Sequence, residues 1–324
     1  MAYNTKLIVK VSRLYYKDGL TQDEIAEKLK ISKYQVNRIL KKALSLGIVK
    51  ITIIDPSSSI SVFEEKLENT FGLKRAIVVE NFGLSDIELK AKLGMAAAEY
   101  LLEIIKDNDV IGVSWGTTIN EVINHLPEKI NKNVEVVQVT GGSHQLSIDL
   151  NCHDITTRLA RKFGKEPHLL FAPAILDSKD LLSALMEEKS IKSTFDYFKK
   201  VTVALVGIGA IYPKVISTLI NTGHISKEDF ESLKANNAVG DVFSHFFDIN
   251  GNVCDSTLTG RIVSMPIEVL KKVPYIIGVA GGKLKAEAIL GALRGKYINI
   301  LITDDTAAQK VLKLHLKTFK EFKK

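Results

Sequence analysis

Thr21-Gln22-Asp23-Glu24-Ile25-Ala26-Glu27-Lys28-Leu29-Lys30-Ile31-Ser32-Lys33-Tyr34-Gln35-Val36-Asn37-Arg38-Ile39-Leu40 carries two helix-start signals in close succession. Thr21 and Glu24 have the spacing of a capping box, in which hydroxyl and carboxylate satisfy each other's exposed amides. A helix is predicted from there, with Ile25, Ala26 and Leu29 on its buried face. Ser32 is the cap of a second helix, whose apolar residues Val36, Ile39, Leu40 and Ala43 recur at helical spacing. Small Ala26 permits a close crossing and Ile31 fills the turn, so the pair reads as a helix-turn-helix. Lys33, Tyr34, Gln35, Asn37, Arg38, Lys41 and Lys42 then lie on or near the outer face of the second helix. Such side chains suit a DNA major groove: Gln and Asn can bond adenine edges, Arg can bond guanine, and Lys neutralises phosphates. Arg38 and Gln35 are the expected base readers, and Lys33, Lys41 and Lys42 the expected phosphate contacts. Thr21 and Ser32, at the helix starts, complete the candidate DNA-binding set. The bland alternative is an amphipathic helix pair with a solvated basic face.

Charge separates those readings. Residues 1–54 hold eleven basic side chains against four acidic ones, an excess equal to the +7 of the whole 324-residue chain. Residues 55–324 are therefore neutral overall. Concentration of the excess in one small module is the electrostatic footprint of nucleic-acid binding, and the expected partner is double-stranded operator DNA.

A hydrophobic content of 46% with 25% charged residues describes a soluble globular chain long enough for two domains. No signal peptide is read at the start and no stretch is apolar enough to span a bilayer, so no membrane partner is expected. Cys152 and Cys254 are far apart and lack metal-ligand spacing, which points to a reducing compartment and a cytoplasmic protein. The domain reading is a winged helix-turn-helix module over 1–54, ending in a strand at 47–54, then a linker at 55–60 and an effector and oligomerisation domain over 61–324.

Within that larger domain, runs rich in Val and Ile alternate with helical stretches: 76–79, 110–113, 134–139, 201–206, 275–280 and 298–303. Nearly continuous apolar runs mean strands buried on both faces, hence an α/β fold with a mainly parallel sheet and helices on either side. Ligands in such sheets bind beyond the carboxyl ends of the strands. Four loops there are rich in glycine: Ser114-Trp115-Gly116-Thr117-Thr118, Thr140-Gly141-Gly142-Ser143, Gly207-Ile208-Gly209 and Gly281-Gly282-Lys283-Leu284-Lys285. Glycines let backbone amides approach a ligand, and a helix start adds positive potential. Thr117, Thr118 and Lys285 supply hydroxyls and a full charge for a phosphate, Trp115 reads either as core or, with Gly116-Thr117 beside it, as a stacking wall for a sugar ring, and Asp241 can accept from sugar hydroxyls. Asp248, in Asp248-Ile249-Asn250-Gly251, reads as a structural turn.

Other chemistries find less support. The seven histidines form no metal-ligand cluster, no nucleophile elbow or Walker loop occurs, and no cofactor is expected. Gly207-Ile208-Gly209 lacks the third glycine of a dinucleotide fingerprint and reads as a packing element. Both cysteines read as small buried side chains. The Lys-rich end from Lys310 to Lys324 reads as an amphipathic closing helix, with Leu312, Leu316 and Phe319 interleaved.

These motifs together resemble the SorC family of sugar-binding bacterial transcriptional regulators over essentially the full chain. The matching stretches are the helix-turn-helix at 20–40, Gly112-Val113-Ser114-Trp115-Gly116-Thr117-Thr118, Gly207-Ile208-Gly209, Gly240-Asp241 with Phe247-Asp248 and Gly251, Ala280-Gly281-Gly282 with Lys285-Ala286 and Ala288-Ile289, and Asn299 with Leu301-Ile302-Thr303-Asp304. The resemblance implies an effector domain with the fold of glucosamine-6-phosphate deaminase and ribose-5-phosphate isomerase. It further implies a phosphorylated sugar effector, a homodimer or homotetramer, and a repressor rather than an enzyme. Loops 114–118 and 281–285 would cradle phosphate and hydroxyls with Asp241 opposite, and Gly141, Gly142 and His153 would complete the effector set. Thr117 stands where many members carry Arg, and His153 where Asn is common, which leaves the sugar open. The alternative is a sugar-phosphate isomerase or deaminase fused to a DNA-binding module. Such chemistry needs a paired acid and base, for which only Asp241 and His245 offer themselves.

Overall fold

Helix α1 (Thr5–Tyr16) opens the N-terminal unit, followed by α2 (Gln22–Leu29) and α3 (Lys33–Ser45). The computed structural model describes residues 4–49, 59–142, 151–217, 220 and 225–321, and the chain divides into units Met1–Ser58 and Ser59–Lys324. The expected Thr21–Glu24 capping box forms, and Ser32 caps α3 as expected, in a second box that Gln35 completes. Lys30, in the left-handed region at φ 50°, ends α2 abruptly enough for α3 to start three residues later. Ile8, Val11, Leu14, Ile25, Val36, Ile39, Leu40 and Ala43 make one small core, with Ala26 and Ile31 packed against it. The strand expected over 47–54 does not form at Gly47–Val49. The Val49 amide donates instead to Ala43 O at 3.2 Å, folding the chain back on the end of α3. Residues 50–54 lie outside the described residues, as does the expected linker up to 58; its last two residues already belong to α4 (Ser59–Phe71), where Ile60 and Phe63 pack on the core of the second unit.

The second unit continues β1 (Arg75–Val79), α5 (Asp86–Ile104), β2 (Val110–Val113), α6 (Thr117–His125), β3 (Glu135–Gln138), α7 (Cys152–Lys162), α8 (Lys179–Glu187), α9 (Lys189–Phe198) and β4 (Val203–Gly207). It then adds β5 (Gly209–Ala210), α10 (Lys227–Ala235), β6 (Gly240–Val242), β7 (His245–Phe247), α11 (Ile267–Leu270), β8 (Tyr275–Val279), α12 (Ala286–Arg294), β9 (Ile300–Asp304) and α13 (Asp305–Glu321). All six apolar runs become strands of one sheet in the order β1-β9-β8-β4-β2-β3, every neighbouring pair parallel. Strand alternation explains why the runs are continuously apolar. Val203, Leu205, Ile277, Val279, Ile300 and Ile302 face a layer from α5, α6 and α7, whereas Ala204, Val206, Ile276 and Leu301 face α4, α9, α12 and α13. In α13 the buried residues are Ala307, Ala308 and Val311, with Leu312 and Leu314 partly covered; Leu316, expected on the buried face, is exposed, and the Phe319 side chain lies outside the described residues.

Strand order also decides where a site can open. From β2 the chain moves outward to β3, then returns across to β4 on the other side of β2 and continues to β8 and β9. The loops leaving β2 and β4 therefore diverge, and a crevice forms beyond their carboxyl ends. A second sheet, β5-β6-β7, is antiparallel and small. Its β5 follows directly on β4, which sets Asp241 of β6 over that crevice, in register with Gly209.

Candidate functional site

A cavity of about 300 Å³ occupies the switch point. Its walls are Ser114, Trp115, Gly116, Thr117, Thr118 and Ile119 after β2, Gly207, Ile208 and Gly209 after β4, and Lys90, Ile216, Ser217, Asp241, Phe243 and Lys285 from elsewhere. Gly116, the N-cap of α6, has φ 144° and offers no side chain to the helix start. The first-turn amides of α6 are thus left to whatever enters the cavity, with the positive end of the helix behind them. Gly94 on α5 fixes this helix in place: a Cβ there would come within 2.6 Å of Glu121 Cβ, so only glycine permits the observed approach of α5 to α6.

Asp241 and Lys285 are the charged interior of the site. The Asp241 carboxylate is buried and accepts from Ser217 Oγ at 2.8 Å; burial raises its pKa against the lowering effects of Ser217, Lys285 and the Ser244 amide. Lys285 donates to Ile208 O at 2.8 Å, and burial brings its pKa down to about 8, helped by Lys90 and opposed by Asp241 and Asp86. Lys90, at the cavity wall, is paired with Asp86 at 2.6 Å. The arrangement offers an anion a helix start, hydroxyls and ammonium groups, and offers a hydroxyl-bearing body a carboxylate and apolar walls.

Seven of the sequence-predicted effector residues meet in this cavity: Ser114, Trp115, Gly116, Thr117, Thr118, Asp241 and Lys285. Gly141, Gly142, His153, Gly281 and Gly282 are not among its walls, and the Gly141, Gly142 and Gly282 amides, expected to face a ligand, are bonded within the protein. The Gly141 amide bonds Val263 O and the Gly142 amide bonds Ala172 O, both in place of a ligand. His153 packs beside Gly142, 5.3 Å from the Phe171 ring, and burial lowers its pKa. The Gly282 amide donates to the Asp304 carboxylate. That carboxylate, fully buried, also receives Asn81 Nδ2 and the Thr306 amide and hydroxyl. Asp304 therefore ties the loop before Lys285 to the loop before α5, which carries Lys90, and positions both lysines.

Gly207-Ile208-Gly209, read as packing, lines the cavity; a Cβ on Gly209 would lie 2.0 Å from Asp241 Oδ1. Lys90 and Ser217 carry bland local signals, an i,i+4 ion pair for Lys90, and Asp304 stands out in the sequence only as the end of a family-matching stretch. His245 is no partner for Asp241. Its Nε2 lies 2.8 Å from Met265 O and 3.0 Å from Ser264 Oγ, and burial keeps its pKa low. Asp248 closes its own turn by accepting from the Asn250 and Asn252 amides. No group of metal-ligating side chains and no membrane-crossing helix occurs among the described residues.

On α3, Lys33, Tyr34, Asn37, Arg38 and Lys41 are exposed, and Lys42 is half-buried. Lys33 pairs with Asp23 at 2.7 Å. Gln35, expected to read a base, has its Oε1 committed to the Ser32 amide at 2.8 Å, so its first role is to cap α3. Thr21 and Ser32 likewise serve as caps.

A basic helix-turn-helix carried on the same chain as a parallel α/β unit with a charged cavity at its switch point defines a ligand-responsive transcriptional regulator. Residues 55–313 match the family model described as "Putative sugar-binding domain", and residues 10–45 match that of Sigma-70, region 4. The chain is 33% identical to the sorbitol operon regulator of Klebsiella pneumoniae over 95% of this chain and 98% of that protein. It is 33% identical to the deoxyribonucleoside regulator of Bacillus subtilis over 94% of this chain and 96% of that one. The crystal structure of full-length SorC from Klebsiella pneumoniae aligns with a TM-score of 0.79 at 32% identity, covering 96% of this chain and 100% of that one. This chain belongs to the SorC family of sugar-binding transcriptional regulators. Its relatives are regulators and not enzymes, which sets the isomerase or deaminase alternative aside.

Proposed function

We propose that the protein is a cytoplasmic repressor, a dimer or tetramer, whose grip on operator DNA is controlled by a phosphorylated sugar bound at the switch point. The observation that carries this reading is the uncapped start of α6 facing the same cavity as Lys285 and Asp241. The phosphate sits on the α6 amides with Thr117, Thr118 and Lys285, the carbon frame lies against Trp115, and Asp241 accepts from hydroxyls. The relatives' names, for sorbitol and for deoxyribonucleosides, support a polyhydroxylated ligand. One helix-turn-helix spans too few base pairs for a strong specific site, which favours an oligomer with paired half-sites.

A thermal-shift panel of sugar phosphates against the corresponding free sugars tests the effector, because a ligand of the folded state raises its stability. A phosphorylated sugar is expected to stabilise the protein, and Lys285→Ala to weaken that binding by about 1.5–3 kcal/mol, the worth of a charge-assisted hydrogen bond. Equal stabilisation by free sugars, with Lys285→Ala silent, would remove the phosphate site. The pH dependence has a definite sign. Lys285 is cationic below about pH 8 and neutral above it, so effector affinity falls as pH rises through about 8 and Lys285→Ala flattens that fall. In the empty protein the sign is opposite: the unfolded lysine holds its proton to higher pH than the folded one, so stability rises between about pH 8 and the ordinary lysine range.

For DNA, Arg38→Ala is expected to cost on the order of 1–3 kcal/mol and to relax preference at one base position. An unchanged ratio between operator and random duplex would take Arg38 out of base reading.

A further inference from the structure

We infer that Tyr34 is a specificity-determining residue of the DNA-binding surface, its ring meeting the C5-methyl of a thymine one or two steps from the guanine read by Arg38; this deepens the DNA-binding reading and rests on it. The first turn of α3 narrows the choice of reader. Lys33 is held by Asp23 at 2.7 Å, and Gln35 has its Oε1 on the Ser32 amide, whereas the Tyr34 side chain is 71% exposed. The buried face of the helix is complete without it, being made by Val36, Ile39, Leu40 and Ala43. Tyr34 therefore contributes no packing to the module that accounts for an aromatic ring at this position.

A second observation gives the ring a partner. Arg38 Cζ lies 5.9 Å from the Tyr34 ring centroid, one turn further along the same helix. A guanidinium near an aromatic face is attracted to it, which sets the Arg38 and Tyr34 side chains side by side on the helix surface. Four residues of helix rise are about 6 Å, and stacked bases are about 3.4 Å apart, so the two side chains reach bases roughly one or two steps apart. An apolar ring edge distinguishes thymine in the major groove by its methyl group, which the other bases lack at that place.

The test is selection of binding sites from a random duplex library by full-length wild type, Tyr34→Ala and Tyr34→Phe, followed by affinity measurement on the selected site with the thymine replaced by deoxyuridine. Wild type and Tyr34→Phe are expected to select a thymine one or two steps from a guanine, because the ring and not the hydroxyl makes the contact. Tyr34→Ala is expected to lose preference at the thymine and to loosen it at the guanine. Removing the methyl is expected to weaken wild type several-fold and leave Tyr34→Ala unaffected. If Tyr34→Ala selects the same thymine, or weakens all sequences alike, or if wild type ignores the methyl, the inference is overturned while DNA binding stands. If wild type selects no sequence at all, the DNA-binding reading fails with it.

Discussion

Gly209→Ala is expected to abolish the response to sugar phosphates and to lower the stability of the larger unit by about 2–3 kcal/mol, the scale of overpacking at a site that cannot relax. The added Cβ would stand 2.0 Å from Asp241 Oδ1 and 3.0 Å from Ser217 Oγ. Both neighbours are side-chain atoms tied together: Asp241 is on β6, in register with Gly209 itself, and Ser217 is bonded to the same carboxylate. Relief requires either turning the carboxylate out of the cavity or parting β5 from β6. The first removes the hydroxyl acceptor of the site and the second removes the strand that holds it. Calorimetric titration with the stabilising sugar phosphate, together with urea unfolding, measures both effects. A variant that binds the effector normally would show that the carboxylate does not need its observed position.

Asp304→Ala is expected to be more damaging to the fold, by on the order of 3–5 kcal/mol, because a buried acceptor shared by several donors is lost and each orphaned donor costs about 1–3 kcal/mol. The Gly282 amide, Asn81 Nδ2 and the Thr306 amide and hydroxyl all point at this one carboxylate. For a unit of this size the melting temperature should fall by roughly 10 °C. Asp304→Asn keeps an acceptor but sets an NH2 group among donors, so a smaller loss is expected, accompanied by weaker effector binding as the loops carrying Lys285 and leading to Lys90 come apart. Hydrogen exchange at 81–85 and 281–285 should quicken in both variants. Unchanged exchange there, with stability within about 1 kcal/mol of wild type, would show that the loops are held by something else.

Much of the architecture was legible because it rests on interactions near in sequence. The Thr21–Glu24 box, the Ser32 cap, the apolar face of α3 and the six buried strands all follow from spacing within one element. Spacing alone does not divide the roles of Gln35, because a capping box and a base reader call for the same side chain at the same turn, and its Oε1 is on the Ser32 amide. Spacing also begins a strand at Gly47, where Val49 turns back on Ala43, and puts Leu316 on the buried face of α13, where it is exposed.

The sequence by itself determined the helix-turn-helix, the confinement of positive charge to residues 1–54 and the parallel character of the sheet, since caps, charge and periodicity act over a few residues. Tertiary structure alone decided which glycine-rich loops share a cavity. In a parallel sheet the neighbours of a strand are set by crossovers, so the loop after β2 shares its cavity with the loop after β4, which lies far from it in the chain. It was the fold, too, that brought Lys90, Ser217, Asp241 and Lys285 to one place, and that turned Gly209 from a packing residue into the only one that can stand beside the Asp241 carboxylate.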